Sequence, residues 1–226
     1  MGLPFELKEF FELFVEYNVS IWPLQIVFYV LGAAAVGLAF TRRLEGDMVI
    51  AAILAFFWFW MGAMYHLLFF SSLTPVGYVF GAFFIVQGAL LQWRGVLTKE
   101  LRFRCRWDTY SAFGAAMILY AMVVYPMIGW HLGHHYPLAP MFGAAPCPTT
   151  IFTFGMLLWL TGRTPKYLLV IPFLWSIVGT SAALNLGVRE DFAMLPAAVV
   201  ATLLILWRDR RPKPTDEAGS DAAEST

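Results

Sequence analysis

Seven apolar segments separated by polar connections constrain the fold of this 226-residue chain more than any other feature. A transmembrane helix needs about 20 mostly apolar residues. The fifth and seventh segments are short by this measure. The segments span residues 20–41, 48–70, 75–93, 109–130, 148–162, 167–187 and 191–207. They predict an all-α, polytopic membrane protein with about seven transmembrane helices.

The composition supports a chain that folds in lipid. Hydrophobic residues make up 60% of the sequence and charged residues 13%, whereas soluble domains carry about 25% charged residues. A single water-soluble core could not cover so much apolar surface. The formal net charge is zero, so no nucleic-acid partner is expected. The expected partner is the lipid bilayer, and the composition does not indicate an oligomeric state.

The basic residues predict the orientation of the helices, because Lys and Arg accumulate in cytoplasmic segments. When the connections are assigned alternately to two sides, one side receives 13 of the 15 basic residues. The other side receives only Lys8 and Arg189. Six or eight helices would move one basic group to the opposite side. We therefore expect a multi-pass protein of the cell membrane, with its N-terminus outside and its C-terminus in the cytoplasm.

Residues 1–19 precede the first apolar segment and have an amphipathic pattern between Pro4 and Tyr17. The apolar positions are Leu7, Phe10, Phe11 and Phe14, and the acidic positions are Glu6, Glu9, Glu12 and Glu16. This pattern predicts an interfacial helix on the outer side of the membrane. Residues 20–210 would form the transmembrane domain. The polar residues 211–226 predict a disordered cytoplasmic tail.

All four histidines fall on the outer side in this orientation. His131 and His135 are four residues apart, so they would share one face if the fourth helix continues that far. Two imidazoles at this spacing can chelate one metal ion. Alternatively, Gly133 and Pro137 end the helix, and the histidines lie in an interfacial loop. The candidate metal ligands on this side are His66, His131, His134, His135 and Cys147.

Cys147 stands between Pro146 and Pro148 at the expected start of the fifth helix. The positive end of a helix favours a thiolate, and a thiolate beside imidazoles suits zinc or copper. The alternative is a small buried thiol in a proline-shaped turn. The carboxylates that could assist are Glu190, Asp191, Glu12 and Glu16. For Glu190 and Asp191 a simpler role is also open, since acidic residues in the first turn complement the helix dipole.

A run of small residues lies at 179–183 inside the sixth segment, with the sequence Gly-Thr-Ser-Ala-Ala. Small residues allow neighbouring helices to approach closely. We therefore expect close helix packing at this run rather than a pore.

Three stretches resemble a family of bacterial multi-helix membrane proteins known as a domain of unknown function. They are residues 65–70, residues 146–155 and the pair Glu190-Asp191. The resemblance covers nearly the whole chain. It implies the inner membrane of a bacterium and no established activity.

Two better-known seven-helix classes are less similar. Rhodopsins attach retinal to a lysine inside the last helix, but the lysines here lie outside the helix centres, so no retinal is expected. The four lysines are Lys8, Lys99, Lys166 and Lys213. Alkaline-ceramidase-like hydrolases carry a His-x-x-x-His pair late in the chain. His131 and His135 match its spacing but lie on the fourth segment, so the similarity is weak.

Three functional hypotheses follow from these residues. The first is a metal-binding membrane protein that handles or transports a transition-metal ion through an outer-side cavity. The second is an intramembrane metal-dependent hydrolase that acts on a lipid or small amphiphile, with Glu190 or Asp191 as the base for a metal-bound water. The third is a non-catalytic sensor or assembly partner, in which the histidines would be scattered. The distances among the histidines and Cys147 distinguish convergent ligands from scattered ones.

Overall fold

A computed structural model describes residues 7–41 and 43–210. This part of the chain contains eight helices and no β-strand, as the all-α prediction requires. The helices are α1 (Leu7–Ser20), α2 (Leu24–Leu38), α3 (Leu44–Ser72), α4 (Val76–Leu97), α5 (Thr109–His131), α6 (Pro146–Leu158), α7 (Tyr167–Leu186) and α8 (Arg189–Arg210). Each of the seven apolar segments coincides with one helix, from α2 to α8.

Five helices of the described chain, α3, α4, α5, α7 and α8, are long and apolar enough to cross a membrane. Helices α1 and α2 pass the same test only together, and they meet at an angle of 85°. Helix α6 has only 13 residues. The structure thus indicates a multi-pass membrane protein with five to six spans by length and composition, where the sequence predicted seven.

Three of the long helices contain π-helical stretches, in which each backbone bond reaches five residues back instead of four. These stretches are Met61–Phe69 in α3, Gln92–Leu97 in α4 and Tyr120–Val124 in α5. The first includes His66, and the third ends immediately before Tyr125. Because π-turns often occur at functional sites, the first and third stretches indicate the end of the helix bundle nearer His66 and Tyr125, whereas Gln92–Leu97 lies toward the opposite end.

We call the opposite end, where the basic connections meet, the basic end. There the buried Asp47 accepts hydrogen bonds from the Phe103 backbone N–H at 2.9 Å and from Arg104 Nη1 at 2.5 Å. The Arg104 backbone N–H donates to the Trp159 carbonyl oxygen, and Arg208 Nη1 donates to the carbonyl oxygen of Leu158. The connection between α4 and α5 is therefore folded onto the bundle.

The other end carries Glu190 and Asp191, and we call it the acidic end. Helix α1 lies across it and buries Leu13, Phe14, Tyr17 and Asn18. The acidic face was predicted correctly, because Glu9, Glu12 and Glu16 are exposed. The apolar face was predicted only in part. Of its four positions, Phe14 is buried, Phe10 and Phe11 are half-buried, and Leu7 is exposed.

Contacts with the bundle explain this rotated face. The Tyr17 hydroxyl group donates to the Ala144 carbonyl oxygen at 3.0 Å and accepts from Trp60 Nε1 at 2.8 Å. Asn18 Nδ2 donates to the carbonyl oxygens of Pro137 and Ala139 at 2.7 and 2.8 Å. Helix α1 thus packs on the segment that joins α5 to α6 as well as on α3. Glu6 and the predicted tail at 211–226 lie outside the described residues, so those two predictions stay predictions.

Candidate functional site

A cavity of about 360 Å³ lies at the acidic end, between α1 and helices α3, α4 and α7. Six aromatic rings line it: Phe10, Phe14, Tyr65, Phe70, Phe80 and Trp175. We call it the aromatic cavity. Helix α1 forms one of its walls, since Phe14 stacks on Tyr65 with ring centroids 5.5 Å apart. The lining is almost entirely apolar.

Four polar side chains also reach the aromatic cavity, namely Thr74, Cys147, Ser181 and Asp191. Asp191 is the one charged residue among the lining residues of the described chain. It belongs to the 3₁₀ turn Arg189–Ala193 that opens α8, which places its carboxyl group at the N-terminal end of that helix. The first-turn position predicted from the sequence is therefore correct, and it also brings the carboxyl group to the cavity.

Asp191 is buried and has two neutral polar neighbours. The Tyr125 hydroxyl group donates to Asp191 Oδ1 at 2.5 Å, and the Cys147 thiol interacts with the same carboxyl group. A carboxylate offers about four lone-pair sites, so Asp191 has acceptor capacity beyond these two contacts. Cys147 thus faces a carboxyl group instead of the imidazoles that the sequence analysis placed beside it.

Glu190 points to a different partner. Its Oε1 lies 2.6 Å from His134 Nδ1, while its Oε2 has no hydrogen-bond partner among the described residues. The Tyr120 hydroxyl group donates to the Glu190 backbone carbonyl oxygen at 2.8 Å. The His134 ring in turn lies 4.5 Å from the ring of Phe11 in α1. This histidine therefore connects a buried carboxylate to the helix that covers the cavity.

His66 is fully buried in α3, and neither ring nitrogen has a hydrogen-bond partner among the described residues. Aromatic rings surround it: Phe84 lies at 4.5 Å, and Tyr65 and Trp175 each lie at 5.0 Å between ring centroids. Tyr65 and Trp175 also line the aromatic cavity, whereas His66 does not. His66 is therefore behind the cavity wall.

The helical spacing on which the predicted pair of His131 and His135 depends is not formed. Helix α5 ends at His131, and Gly133 follows with a φ of +89°, a conformation that glycine adopts readily. Both histidines are exposed, and the ring of His135 lies 4.2 Å from that of Trp130. The loop alternative considered for these residues is the one that the structure shows.

No group of three or more His, Cys, Asp or Glu side chains in the described part of the chain could hold a metal ion. The set His66, His131, His134, His135 and Cys147 is therefore not assembled as one site, because the helix that should carry three of its members ends too early. What the structure brings together is His134 with Glu190 and Cys147 with Asp191. Glu12 and Glu16 are exposed on α1. Zinc or copper binding, metal transport and metal-dependent hydrolysis stay predictions that no described arrangement supports.

The comparison with known families agrees with the resemblance found in the sequence. The model of a family of unknown function, DUF6064, matches residues 7–215. The chain belongs to this family. No curated protein and no solved structure matches it. The bacterial origin implied by the resemblance stays a prediction.

Three residues that build the site in this DUF6064 member were not predicted from the sequence as site residues. Tyr125 and Tyr65 are buried tyrosines, and Trp175 forms a wall of the cavity. Each lies in an apolar helix, where an aromatic side chain is as compatible with lipid contact as with a site. A tyrosine or tryptophan in the middle of an apolar helix also has a polar atom that needs a hydrogen-bond partner. This requirement is the one feature of the sequence that could have identified these residues as inward-facing.

The small residues of α7 were only partly interpreted correctly. Gly179 does mark close packing, because a Cβ built there would lie 2.3 Å from Met194 Cε. However, Gly179, Ser181, Ala182 and Ala183 also line the aromatic cavity. The same run that lets α7 approach α8 therefore leaves room for a ligand.

Proposed function

We propose that this membrane protein binds a small amphiphile, with the hydrocarbon part of the ligand in the aromatic cavity and its polar group at Asp191. The observation that carries this proposal is the cavity itself: six rings enclose it and one buried carboxyl group reaches it. Small-molecule sites are mostly apolar pockets with a few convergent polar groups. An amphiphile matches this division into a long apolar wall and one polar corner.

The size of the cavity favours a single-chain ligand. Ligand pockets have volumes of about 300–1,000 Å³, and the aromatic cavity, at about 360 Å³, is near the lower limit. A lipid with two acyl chains would need a larger space. The ligand would therefore be a single-chain or compact amphiphile.

A second apolar cleft supports access from the bilayer. It has a volume of about 260 Å³, lies between α4 and α7, and shares Phe80, Trp175, Ile177 and Val178 with the aromatic cavity. Phe83 and Leu174 also line it, and both are exposed on the helix surface. An alkyl chain could therefore extend from Asp191 past Trp175 toward lipid.

The proposal includes seven crossings with the acidic end outside the cytoplasm of a bacterial cell. It is supported by the contacts of the basic connections at one end of the bundle and by the 13 of 15 basic residues assigned to that side. Impermeant maleimide labelling of single cysteines, in a background without Cys105 and Cys147, tests it. S72C at the acidic end should react in intact cells, and T98C at the basic end only after permeabilisation. The opposite pattern would reverse the orientation.

Photo-crosslinking tests the binding site. The protein is placed in nanodiscs of zwitterionic lipid and exposed to an alkyl chain that carries a diazirine and a neutral hydroxyl head. Crosslinks should concentrate on peptides that contain Tyr65 and Trp175. The variant A182F fills the cavity, and L184F adds the same ring at an exposed position of the same helix.

The expected loss follows from the space removed. A phenyl ring that excludes two methylene groups of the ligand costs about 1.6 kcal/mol of binding free energy, or roughly tenfold in affinity. A182F should therefore reduce cavity crosslinking about tenfold at subsaturating probe, since yield then follows affinity, and L184F should leave it unchanged. Crosslinks spread evenly over the lipid-facing surface, with no effect of A182F, would contradict the proposal.

A further inference from the structure

We propose that the amphiphile carries a positive charge, as an amine or quaternary ammonium group that pairs with Asp191. This inference rests on the proposed function, because it names the class of ligand for the same cavity. It depends on the charges around the cavity and on the aromatic rings that line it.

The aromatic cavity contains one acidic group and no described basic group. Asp191 lines it, while no Lys, Arg or His is among its lining residues in the described chain. The polar neighbours of the Asp191 carboxyl group are the hydroxyl of Tyr125 and the thiol of Cys147, which are neutral donors. Arg189 is close in sequence, but its side chain is exposed.

The next residue is a second buried acidic group. Glu190 is fully buried, and its Oε2 has no hydrogen-bond partner among the described residues. The one histidine that contacts this carboxylate, His134, lies at Oε1. Two adjacent acidic side chains at the start of α8 are thus buried, and His134 contacts the first of them.

A buried carboxylate is costly unless a positive group pairs with it. A ligand cation in the cavity would remove this cost, whereas an anionic head would place like charges together. A neutral head would gain a hydrogen bond at most. The charge of the site therefore favours a cationic ligand over neutral and anionic ligands with the same chain.

The lining rings favour the same class of ligand. Cations bind over the faces of aromatic rings, with tryptophan the strongest, and aromatic enclosures recognise quaternary ammonium groups. Trp175, Tyr65 and Phe14 all line the space that Asp191 reaches. A carboxyl group beside such rings can hold an ammonium group that has no N–H to donate.

Competition among three matched compounds tests the proposal in the full-length protein in zwitterionic nanodiscs. The compounds share one alkyl chain and carry a trimethylammonium, a hydroxyl or a carboxylate head. Each competes with the neutral diazirine probe for crosslinking at Trp175. The trimethylammonium compound should compete at a concentration roughly tenfold lower than the hydroxyl compound, and the carboxylate compound should be the weakest.

Two variants assign this preference to its source. D191N keeps an oxygen that accepts from Tyr125 but removes the charge, so the preference for trimethylammonium should fall to roughly twofold or less. The preference is measured relative to the hydroxyl compound in each variant, so a general loss of binding in D191N would weaken both compounds alike and leave the preference unchanged. E16Q removes an exposed charge from α1 and controls for general attraction of cations to the acidic end, so it should keep the wild-type preference.

The outcomes separate the two proposals. Equal competition by trimethylammonium and hydroxyl compounds in the wild-type protein would overturn the cationic ligand and leave the proposed function standing. Stronger competition by the carboxylate compound would do the same. If the neutral probe does not label the cavity at all, the proposed function fails first. The comparison of the three compounds in the wild-type protein tests the cationic ligand even if D191N does not fold.

Discussion

The Tyr125 hydroxyl group donates a hydrogen bond of 2.5 Å to Asp191 Oδ1 and joins α5 to α8 inside the bundle. Both residues are buried, with relative exposures of 1% and 4%. They are 66 residues apart in sequence. The bond fixes the direction of the carboxyl group that reaches the aromatic cavity, so it links the stability of the helix pair to the geometry of the site.

Removal of this hydroxyl group should destabilise the protein. Y125F removes one of the two donors of a buried carboxyl group, which costs about 1–3 kcal/mol of unfolding free energy. Thermal unfolding in detergent should show a lower midpoint than the wild type. Y78F removes a hydroxyl group from an exposed tyrosine and should not change the midpoint. Equal midpoints for the two variants would show that the hydrogen bond does not contribute to stability.

Asn18 should control the contact between α1 and the segment at 132–145. Its Nδ2 atom donates to two carbonyl oxygens of that segment, at Pro137 and Ala139. N18A removes both bonds, at about 1 kcal/mol each, and should speed hydrogen exchange of the segment. N185A is the matched control, since Asn185 is exposed and bonds within its own helix. Unchanged exchange in N18A would mean that other contacts hold the segment.

Asp47 should be essential to the basic end. D47A leaves the buried Phe103 N–H without its acceptor and removes the carboxylate that pairs with Arg104, and loss of the partner of a buried donor costs about 1–3 kcal/mol. Trypsin should then cleave faster after Arg104 in nanodiscs. E45A changes an exposed residue two positions earlier, and trypsin should cleave this variant at the wild-type rate. The prediction is wrong if both variants resist trypsin equally.

Cys105 should react slowly with maleimides at neutral pH. Burial raises the pKa of its thiol above the ordinary value of 9.0, and the nearby charge of Asp108 raises it further. Because the thiolate is the reactive form, the rate should lag behind that of a free cysteine at pH 8 and increase about tenfold per pH unit below the pKa. Peptide mass spectrometry measures this rate separately from that of Cys147.

The Asp108 contribution can be isolated without loss of the helix cap. Asp108 accepts from the Ser111 N–H at 2.7 Å at the start of α5, and asparagine caps helices equally well. D108N should therefore lower the pKa of Cys105 and increase the labelling rate at pH 8. E45Q removes another acidic charge at the basic end and should have no effect. Equal labelling rates for D108N and the wild type would show that burial alone raises the pKa of Cys105.

The helices could be predicted from the sequence because lipid requires long apolar segments, and α3 and α7 coincide with their predicted segments to within four residues. The face that each helix turns toward the interior of the bundle could not be predicted from the sequence. In lipid the outward face is also apolar, so no contrast marks Trp175 or Tyr65 as parts of a site. Soluble helices show this contrast, because their exposed side is polar.

The helical premise of the histidine prediction does not hold, for a local reason. It assumed that helical spacing continued from His131 to His135, but Gly133 has a positive φ and α5 has ended. Asp191 was identified as a candidate carboxylate, although for a metal site that is not assembled. Its true neighbours, Tyr125 and Cys147, come from α5 and α6. Such contacts join segments that are far apart in the chain, so the spacing of residues in a single sequence does not reveal them.

The wide turn at Tyr120–Val124 has a consequence for how this family can vary. A π-turn accommodates one residue more than the α-helix around it, and one residue corresponds to a rotation of about 100°. The wide turn absorbs that rotation, so deletion of a single residue there would restore a regular α-turn while Tyr125 still faces Asp191. Relatives with one residue fewer in this stretch should therefore keep the tyrosine–aspartate pair.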